Sequence, residues 1–358
     1  MIPFSHSDEC VALMESASRM IADHYAEPSA ADASLSSDSQ RWQEFADLGW
    51  TAIIVGEQQG GLDGGPSMLS ALAEALGPGV INEPLLSQCA LSGYLMNALA
   101  GQGLAGALER WMSGELIVGL AAITRVEGPR IAADAVTLSD QGDAFRLNTA
   151  RLRVVAGGSC NAWLVGVNTD SGAPALAWVD GGKTGVDVQP VPLIDGREAS
   201  EVTFSNVPIE QTDVIPLDAA ATDALGCAWL LHDLVLAAES LGIARRLVEI
   251  THEYLLTREQ FGQTLADFQV LQHRLVDMQL VVVRFESLLV LARLKVDELG
   301  LTDAAPFIRQ VATAIQTLGR DVGREAVQLH GGIGMTDELI VGRYLKRLTA
   351  NELLVSLG

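Results

Sequence analysis

Apolar residues in the segment 266–298 fall at positions 268, 271, 275, 278, 282, 285, 289, 292 and 296, three and four apart over four heptads. A helix gathers positions of that period onto one stripe, and such a seam packs on neighbouring helices at shallow crossing angles, as in a bundle. The next stretch, 303–329, repeats the pattern with Ile308, Val311, Ile315, Leu318 and Val322, and stops at Gly331-Gly332. Glycine there ends a helix because left-handed backbone costs it little. Residues 222–256 are apolar on most faces, which predicts a helix in the interior of the bundle.

Nearer the N-terminus the same period predicts helices at 7–24, 38–48 and 66–76, the last stopped by Gly77-Pro78. Between 115 and 213 the signal changes to short β-type runs: LIVGLAAI, AFRLNTARLRVVAG, AWLVGVNT, PALAWVD, VDVQPVPLI and EVTFSNVPI. Gly, Asp, Asn and Ser clusters separate them at intervals that suit a sheet or barrel. The order helices, strands, helices argues for segregated layers rather than an alternating parallel sheet. Three domains follow: an N-terminal helical domain over 1–114, a β-domain over 115–213 and a helical bundle over 214–358. Internal repeats and low-complexity tracts are absent from the sequence.

Composition narrows the function classes. With 358 residues, 49% hydrophobic and 19% charged, the chain has the make-up of a folded globular protein. Its net charge of -22 repels phosphate backbones, which excludes sequence-independent nucleic-acid binding but leaves room for a local basic pocket. Cys10, Cys89, Cys160 and Cys227 are scattered without CxxC spacing, as in a reduced cytoplasmic protein, and no metal-ligand cluster is legible. The opening MIPFSHSDEC has neither the basic nor the apolar region of a signal peptide. Apolar runs such as 225–238 are interrupted by His232 and Asp233 and are too short to span a bilayer, so no membrane role is expected.

Two stretches carry candidate chemistry. In TREQFGQTLADFQVLQHRLVDM, residues 257–278, Arg258, Gln260, Phe261 and Gly262 stand in the break before the long seam. Arg258 has a purely structural role open to it, capping the carbonyl end of the preceding helix. The alternative is anion binding: Arg258 as a charge-assisted donor, Gln260 as a neutral donor, Phe261 as a flat wall for an adenine or ribose. In QLHGGIGMTDE, 328–338, three glycines before a helix expected near Thr336 would expose backbone N–H groups to a phosphate, or would merely end a helix. His330 beside them reads as a packed residue.

Taken jointly, R-x-Q-F-G followed by F-Q, and then Q-x-x-G-G-x-G-x-T-x-E, resemble the signature of the acyl-CoA dehydrogenase family. EFADLGWTAIIVGEQQGGLDGG (44–65) is similar to that family's LGW…P-E-x-x-G-G-x-G segment, without the proline. The resemblance covers nearly the whole chain. It implies a helical domain, a middle β-barrel domain and a C-terminal four-helix bundle, with FAD as cofactor and α,β-desaturation of an acyl-CoA as reaction. It further implies that Arg258, Gln260, Phe261, Gln328, Gly331 and Gly332 contact the pyrophosphate and adenosine half of a flavin seated in a neighbouring subunit.

The departures from the family pattern point the same way. Counted without gaps from QLHGG, the catalytic glutamate position falls on Val355; the alternative position on the first bundle helix falls on His232, beside Asp233. A valine cannot accept the α-proton of a thioester, whereas a positioned carboxylate can. The family's flavin-ring loop corresponds to TRVEGPRI (124–131), its tryptophan beside the ring to Arg153, and its ring-bonding threonine to Val155. The expectation is a chain without a catalytic residue of its own, one member of an α2β2 heteromer with a homologous subunit that supplies the base and the acyl-CoA pocket. Family members of that two-subunit type act on sterol and bile-acid side chains, which suggests a steroid CoA thioester. Two alternatives stand beside it: a homomeric flavoenzyme using His232, and a flavin-free scaffold.

Overall fold

Twelve α-helices, with shorter 3₁₀ and π segments between them, and fourteen strands are found in the described part of the chain in this computed structural model, which covers residues 7–25, 39–124, 130–131, 136–140, 145–154, 159–169, 172–336 and 338–356. The N-terminal helices are α1 (Asp8–His24), α2 (Ser39–Asp47), α3 (Gly65–Leu76), α4 (Leu85–Ser87), α5 (Tyr94–Ala98) and α6 (Ala105–Met112). Ser7 caps α1 by accepting the Cys10 N–H, and Gly77-Pro78 follows α3 as the sequence predicts. The C-terminal helices are α7 (Ala219–Thr257), α8 (Gln269–Asp303), α9 (Ala305–Thr313), α10 (Ile315–Thr317), α11 (Arg324–His330) and α12 (Val341–Ser356). Segments α9 to α11 run on through a π-turn at Leu318–Gly323, so α7, α8, α9–α11 and α12 are the four arms of a bundle. The buried side of α8 carries Met278, Val282, Phe285, Leu289, Ala292 and Val296, the predicted seam.

Helix α7 is long and apolar enough to cross a membrane, yet 94% of its most apolar window is buried within the fold, as in a core helix.

The chain forms two compact units. One gathers α1, Pro66–Ile81 and Asp233–Ser356. Its polar core is ionic. Glu74 on α3 accepts Arg293 Nη1 of α8 at 2.8 Å and also pairs with Arg245 of α7, which reaches Glu286 at 2.9 Å. Arg293 further donates to the hydroxyl and carbonyl oxygens of Ser70, both at 2.9 Å. Glu239 on α7 accepts Arg347 at 2.7 Å and Asn351 at 2.8 Å, both from α12. Gly242 permits the closest approach in this unit: a Cβ there would lie 2.0 Å from the Glu74 carbonyl oxygen.

The second unit holds α2, the helices between Asn82 and Met112, the strands, and α7 as far as His232. Its strands are β1 (Val118–Ala121), β2 (Ile123–Thr124), β3 (Arg130–Ile131), β4 (Val136–Asp140), β5 (Phe145–Thr149), β6 (Leu152–Val154), β7 (Ala162–Asn168), β8 (Pro174–Asp180), β9 (Val186–Pro192), β10 (Glu198–Phe204), β11 (Val207–Ile209) and β12 (Val214–Pro216). A seven-stranded sheet runs β11-β5-β4-β7-β8-β12 with β1 added on β7, and a separate three-stranded sheet runs β6-β10-β9. The expected barrel is therefore replaced by two open sheets and a separate antiparallel β2–β3 pair, with no closing strand pair among the described residues. The chain changes sheets at residues 150–151, between β5 and β6, where the Thr149 hydroxyl accepts the Phe204 N–H at 3.0 Å. Trp163 of β7 meets Phe204 of β10 edge-on, ring centroids 5.9 Å apart, so side-chain contacts, the Thr149 hydroxyl among them, join the sheets rather than a strand ladder.

Candidate functional site

The break before α8 is a β-hairpin. The strands β13 (Glu259–Gln260) and β14 (Gln263–Thr264) pair in antiparallel register, with Phe261 and Gly262 as the two-residue loop. Both loop residues have positive φ, 55° and 82°, the signature of a type I′ turn. Backbone bonds anchor the hairpin on each side: the Arg258 N–H donates to the Tyr254 carbonyl at 2.9 Å, and the Leu265 N–H to the Arg258 carbonyl at 2.8 Å. Thr264 and Asp267 then form a capping box that launches the turn Leu265–Asp267 into α8.

What the hairpin displays is unusual. Phe261 is 91% exposed and touches only the edge of Phe268 among aromatic rings, at a centroid distance of 6.2 Å. A bulky residue held at positive φ costs on the order of 1–3 kcal/mol, so the fold bears strain to present this ring. Arg258 and Gln260 are exposed as well. The Gln260 amide donates to the Glu259 carbonyl at 2.7 Å, while the Arg258 guanidinium has no side-chain partner among the described residues. The capping role open to Arg258 in the sequence is thus not taken up.

The glycine loop begins where α11 ends. Gly331 has φ 65° and ψ −145°, a backbone region that belongs to glycine. Gln328, Gly331 and Gly332 are all exposed, and no atom lies within 4 Å of where a Cβ would stand at either glycine. Residues 331–335 coil into a 3₁₀ turn, and the next helix starts at Val341 rather than near Thr336 as expected. Ile333 closes that turn by accepting both the N–H and the hydroxyl of Thr336.

Tyr254 and His330 hold the two motifs together, and the motif pattern does not single out either. The Tyr254 hydroxyl donates to the His330 carbonyl at 3.2 Å, and the two rings stack at 4.4 Å with an interplanar angle of 27°. His330 is buried, as expected, with Nδ1 2.8 Å from the Ala326 carbonyl. Burial holds its imidazole below the usual histidine range, against the pull of that hydrogen bond, so the ring is neutral near pH 7. Tyr254 lies one turn before Arg258 and His330 immediately before Gly331, so their contact sets the ends of α7 and α11 side by side. The available sequence signal was helical arithmetic: Tyr254 sits four residues before Arg258, in the last turn of α7.

The positions expected to bear on the flavin ring and the base are placed differently. His232 is buried, 3.0 Å from the Ser87 hydroxyl through Nε2 and edge-on to Trp229 at 6.0 Å, which is the setting of a hydrogen-bonded core histidine. Asp233 is buried, and Val355 is half-buried on α12. The Arg153 side chain is 85% exposed and paired with Glu201 at 3.2 Å. Residues 125–129 of TRVEGPRI, and Val155, lie outside the described residues.

A guanidinium, a carboxamide, accessible backbone at two glycines and an unburied aromatic face suit the anionic, stacking half of a dinucleotide. All six residues are exposed in this chain, so they fit as one wall of a site rather than an enclosed pocket.

Helices, open β-sheets and a four-helix bundle bearing this pair of motifs define an acyl-CoA dehydrogenase-type oxidoreductase fold. The C-terminal bundle matches the acyl-CoA dehydrogenase family: residues 233–354 fit its model, "Acyl-CoA dehydrogenase, C-terminal domain". It is 29% identical to the acyl-CoA dehydrogenase FadE27 of Mycobacterium tuberculosis over 336 residues, 90% of this chain and 85% of that one. Among solved structures, the Tcur3481–Tcur3483 steroid ACAD matches with TM-score 0.77 and 26% identity, over 98% of this chain and 94% of that one. The ChsE4–ChsE5 complex from Mycobacterium tuberculosis matches in fold with TM-score 0.83 and 24% identity, over 99% and 95% of the two chains.

Strain at the hairpin gives a first prediction. Phe261→Asn places the favoured Asn-Gly pair in the type I′ turn, so the lone chain should gain up to about 1 kcal/mol in urea unfolding.

Proposed function

We propose that this chain is one subunit of a heteromeric, FAD-dependent acyl-CoA dehydrogenase and contributes the adenosine and pyrophosphate wall of a flavin site completed by a homologous partner. The observation that carries this is the presentation of Arg258, Gln260, Phe261, Gln328, Gly331 and Gly332, exposed and linked through Tyr254–His330, at the ends of α7 and α11. A complete self-contained site would bury such groups against the ligand; here they face outward.

When bound, FAD supplies the hydride acceptor of the desaturation. This chain's part is binding and orientation. Arg258 balances pyrophosphate charge, Gln260 and Gln328 donate hydrogen bonds, and Phe261 covers the adenosine. Gly331 and Gly332 let the backbone approach closely. The α-proton of the acyl-CoA goes to a carboxylate of the partner, since Val355 bears no acid and His232 is occupied in the core. The kinship with a steroid ACAD supports a steroid side-chain CoA thioester as substrate, and an α2β2 assembly suits two unlike subunits that each complete the other's site. The three-domain division at 114 and 213 and a cytoplasmic location belong to the same proposal; all four cysteines are buried thiols outside any disulfide.

The test is to purify the full chain alone and coexpressed with homologous acyl-CoA dehydrogenase subunits of its own organism, recording flavin absorbance and mass. Flavin in the mixed complex but not in the lone chain is the expected result. A yellow lone chain would overturn the shared-site assignment, and a colourless complex would leave the flavin-free scaffold.

A further inference from the structure

Tyr254 is bonded to both motifs, through different groups. Its carbonyl oxygen accepts the Arg258 N–H at 2.9 Å, where the hairpin begins. Its hydroxyl donates to the His330 carbonyl at 3.2 Å, and its ring lies on the His330 imidazole. Two hydrogen bonds therefore lead from Arg258 to the peptide that opens the glycine loop, although Tyr254 and His330 stand 76 positions apart.

On the loop side that peptide is held at both ends. The Gly331 N–H donates to the Gln328 carbonyl, so the His330–Gly331 peptide is fixed at its oxygen by α7 and at its hydrogen by α11. The His330 Nδ1 lies 2.8 Å from the Ala326 carbonyl, which sets the ring on which Tyr254 stacks. Gly334 brings the chain back onto the same residue: a Cβ there would lie 2.9 Å from the His330 Cβ and 2.8 Å from the Val327 carbonyl oxygen. With the peptide before it fixed, Gly331 makes the turn, at φ 65° and ψ −145°. The exposed backbone of Gly331 and Gly332 thus takes its direction from a group that Tyr254 holds.

We infer that Tyr254 is the positioning residue of the nucleotide wall, fixing Arg258 and the Gly331–Gly332 backbone relative to each other so that both meet one ligand. The inference rests on the shared-site proposal. Its physical basis is preorganisation. A ligand that spans a guanidinium and a separate glycine loop binds more weakly if it must order each of them, and more tightly if a rigid support has already done so. Tyr254 itself does not touch the ligand; it acts through Arg258 and Gly331. The competing role for a half-buried tyrosine in the last turn of a helix is packing alone. In that role its hydroxyl would contribute to stability and not to affinity.

Tyr254→Phe keeps the ring and removes the hydroxyl. In the mixed complex stripped of flavin, this variant should bind FAD about two- to tenfold more weakly than the native complex, the worth of one neutral hydrogen bond. ADP, a probe of the nucleotide half alone, should weaken by the same factor. The flavin-saturated variant should keep the native visible spectrum, because the isoalloxazine stands outside this wall. Tyr254→Leu removes the stack as well and should weaken both ligands further, so that phenylalanine is a partial rescue. Combining Tyr254→Phe with Arg258→Ala should weaken FAD by less than the product of the two separate factors, since an absent guanidinium needs no placing. Native affinity in Tyr254→Phe, a loss of FAD without an equal loss of ADP, or single factors that simply multiply would each overturn the positioning role. The shared-site reading stands through any of these as long as Arg258→Ala loses flavin; equal flavin in that variant overturns the reading itself.

Discussion

Glu74→Ala is expected to destabilise the chain by about 3–5 kcal/mol, the range for removing one partner from a buried ion pair. The carboxylate is 5% exposed and serves two cations, Arg293 at 2.8 Å and Arg245. Arg293 is itself only 2% exposed, and without Glu74 its charge is left with the neutral oxygens of Ser70. Arg245 suffers less, because it is partly exposed and still reaches Glu286. The asymmetry makes a second arm possible. Adding Arg293→Met removes the stranded charge with a side chain of similar length, so the double variant should recover part of the loss. Urea midpoints of the native chain, the single variant and the double variant measure both steps. A loss within about 1 kcal/mol for Glu74→Ala would mean the cluster behaves like a surface ion pair.

Arg258→Ala carries the largest expected effect on function. A charge-assisted hydrogen bond to a phosphate oxygen is worth about 1.5–3 kcal/mol, so the mixed complex should bind flavin about ten- to a hundredfold more weakly. Stability of the lone chain should hardly move, because the guanidinium has no side-chain partner among the described residues. That combination, a binding loss without a folding loss, is what separates a cofactor contact from the helix cap that the sequence also allowed. Flavin occupancy measured by absorbance at matched protein concentration decides it. Equal occupancy in native and variant complexes would remove Arg258 from the site.

Much of this molecule was legible before any coordinate. The alternation of three and four in 266–298 and 303–329 imposes helices whatever their surroundings, since it places apolar groups on one stripe. Helices ended near Gly77-Pro78 and Gly331-Gly332 because those residues forbid or redirect helical backbone. The family signature singled out the six residues proposed for the nucleotide wall, and the fold leaves each of them exposed. What it omitted was Tyr254, whose stacking on His330 joins the motifs, since a contact between residues 76 positions apart leaves no mark on local spacing.

Strand closure, turn chemistry and exposure belong to the tertiary structure. Runs of β-type sequence give strands but not partners, so the two open sheets were decided by a sheet switch at residues 150–151 and by Trp163 meeting Phe204. Sequence alone does not say whether Phe261 is buried, as aromatic residues usually are, or displayed; the type I′ hairpin turns it outward. The same holds for α8. Its sequence specifies an apolar helix, and only its neighbours decide which side is buried within the chain and which stays exposed. Local pattern fixes what each segment is, because it acts over one or two helical turns; which groups remain available for chemistry depends on what packs against them, and that is set by residues far away along the chain.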